Sequence, residues 1–347
     1  MVQTMPEIFT TGSGEEAYLP IESYFGNVGR THVDPAIEEN VALPGAVKAR
    51  DEDIDVAFWN IEWFNKNVER KVRGVARFIA DMNLDVWALE ETSPVATERL
   101  AQLLDEAYGL DFDFAASEPD APNGRQTTTV MWNRATVVGG AESWPPEIEP
   151  VLCLTSQGDL APLVAIEENV HGKIFDRYPG LFHLKARANE AFGFYVVPLH
   201  LKAMDEGSLR RQLASRVLGA AVNKMIRDGA DGDWILGGDV NAELESGDFA
   251  ALTAAGLAAV SAQDEADGAI SYISGPRSLI DHIFLSRNLA TKFGAQHFTI
   301  VAVDKAIPHY ANTISDHRPV MIRLHIATGL EEGVGFAGIP TSDWLRL

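Results

Sequence analysis

Apolar residues follow two periodicities along this chain. Alternating or continuous apolar runs rich in Val, Ile, Phe and Trp predict strands at 54–60, 85–89, 127–132, 136–138, 173–176, 181–186 and 192–199. Further strands are predicted at 233–236, 271–273, 279–285, 298–303 and 318–326. Apolar residues at helical spacing predict helices over 68–82, 94–108 and 208–226. Ser93 is placed to cap the second helix, with Pro94 in its first turn. The runs 127–132 and 136–138 predict a hairpin about Asn133-Arg134. Many strands with helices between them point to an α/β fold. Two apolar sheets packed face to face, with helices outside, would bury them all.

The ends break this pattern. Residues 1–52 carry Gly, Pro and acidic residues without periodicity and read as an N-terminal extension. Residues 53–328 read as the domain, and 329–347 as a C-terminal tail with Trp344-Leu345 as an anchor. At 46% apolar residues, 347 positions supply a sizeable core. Against 28 basic residues stand 50 acidic ones, a formal net charge of −22. Such a balance excludes indiscriminate attraction to nucleic acid or anionic membrane, although a local basic patch or bound cation overrules it locally. Cys153 is the single cysteine, so an intramolecular disulfide and a thiolate metal cage are both excluded. Its apolar neighbours predict a buried structural thiol. Without a basic-apolar leader or a membrane-length apolar span, the expectation is a cytoplasmic protein with no membrane partner.

Chemistry-bearing side chains collect at the ends of the predicted strands. They are Asn60, Glu91, His200, Asp239 with Asn241, Asp281, and Asp316-His317. Oxygen ligands of this kind suit Mg²⁺ or Mn²⁺, and no HExxH pair or Cys cluster argues for zinc. A histidine held by a carboxylate moves protons near neutral pH. Together these are the parts of metal-assisted phosphoester hydrolysis.

Seven motifs carry a family resemblance. They are Phe-Trp-Asn-Ile-Glu at 58–62, Leu-Glu-Glu-Thr at 89–92, Gly-Arg-Gln at 124–126, Val-Pro-Leu-His-Leu-Lys at 197–202, Gly-Asp-Val-Asn-Ala at 238–242, Ile-Asp-His-Ile at 280–283 and Ser-Asp-His-Arg-Pro-Val at 315–320. In this order the chain resembles the endonuclease/exonuclease/phosphatase superfamily, the deoxyribonuclease I-like group. The resemblance implies a four-layered α/β/β/α sandwich of two packed mixed β-sheets flanked by helices. It implies a divalent-metal phosphoester hydrolase using Mg²⁺ or Mn²⁺. Its metal side is Glu91, Asn60 and Asp316. Asp239 and Asn241 orient water and phosphate, His317 is base or phosphate donor held by Asp281, and His200 faces the leaving group. Arg125, Lys202 and Arg177 match phosphate-contacting positions more loosely.

The deoxyribonuclease-like variants favour a phosphodiesterase acting on DNA or RNA, whereas the acidic composition favours a small phosphoester. A silent scaffold on the same fold is disfavoured because every matched position is filled. Where the family has Gln this chain has Glu90, and strand alternation lets one of Glu90 and Glu91 point inward; the family register selects Glu91. His282 should face away from Asp281 as a structural histidine. Arg70, Lys71, Arg73, Arg77, Arg210, Arg211 and Arg216 read as solvated helix faces, with one of Arg210, Arg211 and Arg216 able to reach the substrate rim. Trp59, Trp63, Phe64 and Trp87 read as core. An exposed Trp63 or Phe64 would instead suggest stacking on a base or sugar.

Overall fold

Asp53–Asn60, eight consecutive buried residues, form β1 and show how the layers arise. Strand geometry sends alternate side chains to opposite faces. Ile54, Val56 and Phe58 enter one core, while Ala57 and Trp59 enter another. A strand apolar on both faces must be covered twice, by a second sheet on one side and helices on the other.

The computed structural model of the chain describes residues 49–50, 53–117, 126–152, 174–293, 298–305, 307 and 309–326. After β1 come β2 (Val86–Thr92), β3 (Phe112–Ala116), β4 (Thr127–Asn133), β5 (Val137–Glu142) and β6 (Leu181–Ala186). Then come β7 (Gly193–His200), β8 (Trp234–Asp239), β9 (Leu257–Ala259), β10 (Asp281–Ser286), β11 (Phe298–Ile300) and β12 (Val320–His325). One six-stranded sheet has the order β11-β12-β1-β2-β4-β3, and the other β5-β6-β7-β8-β10-β9. Each is mixed: β1–β2 and β7–β8 are parallel, and the other pairings antiparallel.

Three long helices complete the layers: α1 (Val68–Met82), α2 (Pro94–Tyr108) and α3 (Ser208–Arg227). Val72, Phe78 and Ile79 of α1 and Leu100 and Leu104 of α2 pack on the outer face of the first sheet. Leu213, Val217 and Leu218 of α3 cover the second. Phe58, Val130, Phe182, Val196, Ile235 and Ile283 fill the space between the sheets. The four-layered sandwich expected from the sequence is therefore present. No helix among the described residues is long and apolar enough to cross a membrane.

Ser93 caps α2 as expected, its Oγ accepting from the Ala96 N–H at 3.2 Å. Other expectations are corrected. No hairpin forms about Asn133-Arg134, because β4 pairs with β2 and β3 whereas β5 pairs with β6. The turn there carries the chain from one sheet to the other. Residues 174–176 are not a strand, and 271–273 contribute only isolated bridges from Tyr272 to Ser278 and to His317. Two helix cations are not solvated. Lys71 is buried and reaches Ile61 O, Glu62 O and Glu62 Oε2. Arg211 is buried against Asp248, with Nε to Oδ2 at 2.7 Å, and also donates to Lys202 O and Met204 O. Cys153, His171, His297 and the end segments 1–48 and 327–347 lie outside the described residues.

Candidate active site

The parallel pairings align the strand ends. Asn60 on β1 pairs in register with Glu90 on β2, and His200 on β7 with Asp239 on β8. Antiparallel β10 begins opposite Asp239 with Asp281. One edge of the two sheets therefore collects the carboxylates, amides and histidines predicted from the sequence.

Asp239 sits where both sheets meet. Its Oδ2 accepts from Asn60 Nδ2 at 3.0 Å, a contact from the first sheet to the second. Oδ1 accepts from the Asn241 N–H at 3.0 Å, closing an Asx turn in which Asn241 takes φ 56°. The Asn241 amide then donates to Leu201 O at 3.1 Å. Two imidazoles flank the same carboxylate oxygen, His200 Nε2 and His317 Nε2, each 3.7 Å from Asp239 Oδ2.

His317 is the more tightly held. Its Nδ1 lies 2.9 Å from Asp281 Oδ2, which also accepts from Ser271 Oγ at 2.6 Å. Its N–H donates to Ser315 Oγ at 3.0 Å, and Ser315 Oγ in turn donates to Asn60 O at 2.6 Å. Asp316 Oδ1 is 3.9 Å from His317 Nε2. Burial disfavours the charged His317 ring, but the Asp281 and Asp239 carboxylates outweigh it and hold the pKa at about 10. Burial, with the charge of Asp281 adding to it, pushes Asp239 up to about 7 against the pull of His317 and Asn60. His200 goes the other way: burial, then the charges of Arg177 and His317, lower it well below the ordinary imidazole value.

Glu91 does not follow strand alternation. Register against β4 shifts between Leu89 and Thr92, and Glu91 takes φ 55° at that irregularity. Its Oε2 accepts from the Trp63 N–H at 2.7 Å and from Gln126 Nε2 at 3.0 Å, and its Oε1 lies 4.0 Å from His200 Nε2. Glu90, on the regular part of the strand, is fully buried, and a Cβ on Gly238 would sit 2.3 Å from its Oε1. The expectation that only one of the pair faces inward is thus corrected, because the bulge brings Glu91 to the site edge while Glu90 stays between the sheets. Burial and the charges of Asp281, Asp239 and Glu91 raise the Glu90 pKa well above its ordinary value.

The looser assignments separate. Arg177 is at the site, donating from Nε at 2.9 Å and from Nη2 at 2.5 Å to Gln126 Oε1. Lys202 Nζ lies 3.9 Å from Asp176 Oδ2, a carboxylate it shares with Arg210. Arg125 lies outside the described residues. Gln126, the last residue of the Gly-Arg-Gln motif, links Arg177 to Glu91, a role that the motif alone does not signal. Ser315 stands inside the Ser-Asp-His motif. Ser271 and Tyr310 had no local signal. His282 faces away from the site, its Nδ1 2.7 Å from Ser261 Oγ.

These donors fit a divalent cation. Glu90 Oε1 and Oε2 and Asp281 Oδ1 are buried without a hydrogen-bond partner among the described residues. Unpaired buried carboxylate oxygens are costly unless a cation or a proton answers them. Asp239, Asp281 and His317 bring ligand atoms within 4.8 Å of one another, a grouping that holds an ion only with the His317 ring neutral. Oxygen-rich sets of this kind are the chemistry of Mg²⁺ and Mn²⁺.

A two-sheet α/β sandwich with an acid–amide–histidine edge defines a hydrolase of phosphoester bonds. The chain belongs to the Endonuclease/Exonuclease/phosphatase family, whose model matches residues 57–317. No curated protein matches it in sequence. Among solved structures it is similar to a Bacteroides thetaiotaomicron endonuclease/exonuclease/phosphatase family protein, with 17% identity and TM-score 0.53, covering 80% of this chain and 98% of that one. It is also similar to truncated Caenorhabditis elegans TDP2, with 15% identity and TM-score 0.51, over 81% of this chain and 100% of that one. D. rerio TDP2 complexed with single strand DNA product is similar at 18% identity and TM-score 0.51, over 80% of this chain and 100% of that one. At these identities the likeness concerns the fold.

Proposed function

We propose that this chain is a divalent-metal phosphodiesterase of nuclease type that cleaves DNA or RNA by in-line attack of water. The observation that carries the reading is the Asp239 carboxylate, fixed by Asn60 and the Asn241 N–H and flanked at equal distance by His200 and His317. In this reading residues 53–328 are the catalytic domain, with 1–52 its extension and 329–347 its tail.

Glu91, Asn60 and Asp316 would hold Mg²⁺ or Mn²⁺, which would supply positive charge against the charge developing on the phosphoester. Asp239 and Asn241 orient the attacking water. A carboxylate pushed up to about 7 is matched to accept the proton of that water near neutral pH. His317, kept charged by Asp281, donates from Nε2 to a phosphoryl oxygen. His200, neutral through burial, stands on the other side of Asp239 towards the leaving group. Arg177 adds positive charge beside it.

The D. rerio TDP2 structure with a single strand DNA product supports a nucleic-acid substrate. The formal charge of −22 favours a second reading, a small phosphoester. Turnover of bis(p-nitrophenyl) phosphate, p-nitrophenyl phosphate, single-stranded DNA and plasmid with Mg²⁺ or Mn²⁺ tests both. Diester and DNA cleavage that falls roughly 10²–10⁴-fold in Asp239→Ala and His317→Ala is expected. Monoester turnover alone selects the small-substrate reading, and near-normal turnover in either variant at saturating metal sinks the role given to that residue.

A further inference from the structure

Of the six tryptophans among the described residues, five are buried and Trp63 is 44% exposed. Trp63 stands beside the reaction centre and is fixed to it: its main-chain N–H donates to Glu91 Oε2 at 2.7 Å. Its carbonyl accepts from the N–H groups of Lys66 and Asn67 at 3.0 and 3.1 Å, and from Asn67 Nδ2 at 3.2 Å. Glu62 and Trp63 both have positive φ, 29° and 53°. Two successive non-glycine residues in that region are strained, and strain of this kind persists where the surrounding contacts impose it. Here the consequence is an indole held outward at the lip of the site. Lys66 Nζ lies 4.0 Å from the ring centroid, placing a cation on one face.

We propose that Trp63 is a stacking platform for an unpaired nucleobase of the substrate strand, next to the phosphate being cleaved. The inference rests on the nuclease reading above and narrows it to single-stranded or locally unpaired nucleic acid. Because the Trp63 N–H is bonded to Glu91 Oε2, a nucleotide whose phosphate is held on the Glu91 side of the site has its base within reach of this indole. An exposed, anchored aromatic face takes any base, because every base presents a flat π surface. Bases inside a duplex are already stacked on one another and do not offer that surface. Lys66 fits the same occupant. Its cation holds the ring by one face and meets the anionic backbone, an attraction that matters in a chain with 50 acidic residues.

The test compares wild type, Trp63→Ala and Trp63→Phe on a single-stranded oligodeoxynucleotide and on a base-free oligomer of the same sugar-phosphate backbone, with Mn²⁺. On the oligodeoxynucleotide, Trp63→Ala should raise KM roughly tenfold with kcat changed by no more than about twofold, and Trp63→Phe should recover most of the loss. On the base-free oligomer wild type should already show the raised KM, and Trp63→Ala should lose nothing more. The melting temperature of Trp63→Ala checks that the fold is intact. Equal KM for wild type and Trp63→Ala on the oligodeoxynucleotide, or an equal loss on both oligomers, overturns the stacking role while the nuclease reading stands. Cleavage of neither oligomer by wild type overturns both.

Discussion

Tyr310 Oη donates to the main-chain oxygen of His317 at 2.7 Å, fastening the site histidine through its backbone. Trp59 Nε1 donates to Tyr310 Oη at 3.1 Å and also reaches His317 O at 3.3 Å. The hydroxyl is fully buried, so it replaces solvent as the partner of that carbonyl. Tyr310→Phe removes one donor and leaves the weaker Trp59 contact. The expected cost is ~0.5–1.5 kcal/mol. Thermal denaturation should show a fall of about 2–4 °C per kcal/mol, with turnover reduced severalfold as His317 loosens. An unchanged melting temperature would mean that Trp59 alone suffices.

Gln126 sets the direction of Glu91. Because Arg177 donates to Gln126 Oε1, the amide nitrogen must face Glu91 Oε2. A residue that orients a metal-side carboxylate acts on ion affinity. Gln126→Leu keeps the volume and deletes the hydrogen bonds to Glu91 and to Arg177. The Mn²⁺ concentration for half-maximal turnover should rise roughly 10–100-fold, with turnover at saturating Mn²⁺ much less affected. Identical Mn²⁺ titrations for the two proteins would remove Gln126 from this role.

Glu90 makes the metal-free protein sensitive to rising pH. Its pKa is raised by burial and by neighbouring carboxylates, so the folded state keeps a proton that the unfolded chain has released. Stability from this group is complete below the unfolded value near 4.5 and is lost as pH rises towards the higher folded value. Glu90→Gln, still filling the space beside Gly238, abolishes the titration. In chelator, urea midpoints of wild type should fall with pH above that point, and those of Glu90→Gln should fall less. Parallel curves would place the pH dependence elsewhere.

The layers were readable because strand and helix periods are strong in β1, α1, α2 and α3, and because both faces of β1 are apolar. The site was readable because strand ends in a parallel pair fall at one edge, so Asn60, His200 and Asp239 converge once the pairing is given. What stayed illegible depended on partners distant in sequence. No local pattern states that β4 and β5 belong to different sheets. Lys71 and Arg211 look like surface charges until Glu62 and Asp248 are seen against them. Periodicity assigns Glu90 and Glu91 to opposite faces, and only the irregularity against β4 shows how both approach the site. Tyr310 is a lone aromatic in sequence and becomes informative only through His317.

Asp281 and His317 form a hydrogen-bonded pair whose charge state can be followed by pH. The carboxylate lies 2.9 Å from Nδ1, and with Asp239 it lifts the imidazole to about 10 despite burial. A histidine whose folded pKa is raised contributes stability that is complete below its unfolded value near 6.5 and is lost as pH rises through about 10. Asp281→Asn keeps an acceptor for Nδ1 but removes the charge beside it. With chelator present, wild type should lose stability between those limits, and Asp281→Asn should lose less across the same window. The histidine resonances of the variant, followed by NMR, should include one that titrates at lower pH than any His317 resonance of wild type. Catalysis should respond in the same direction. Without its anionic partner His317 gives up its proton at a lower pH, so the alkaline limb of the turnover profile should move down. An alkaline limb at the same pH in both proteins would show that the Asp281–His317 pair does not set the proton that turnover requires.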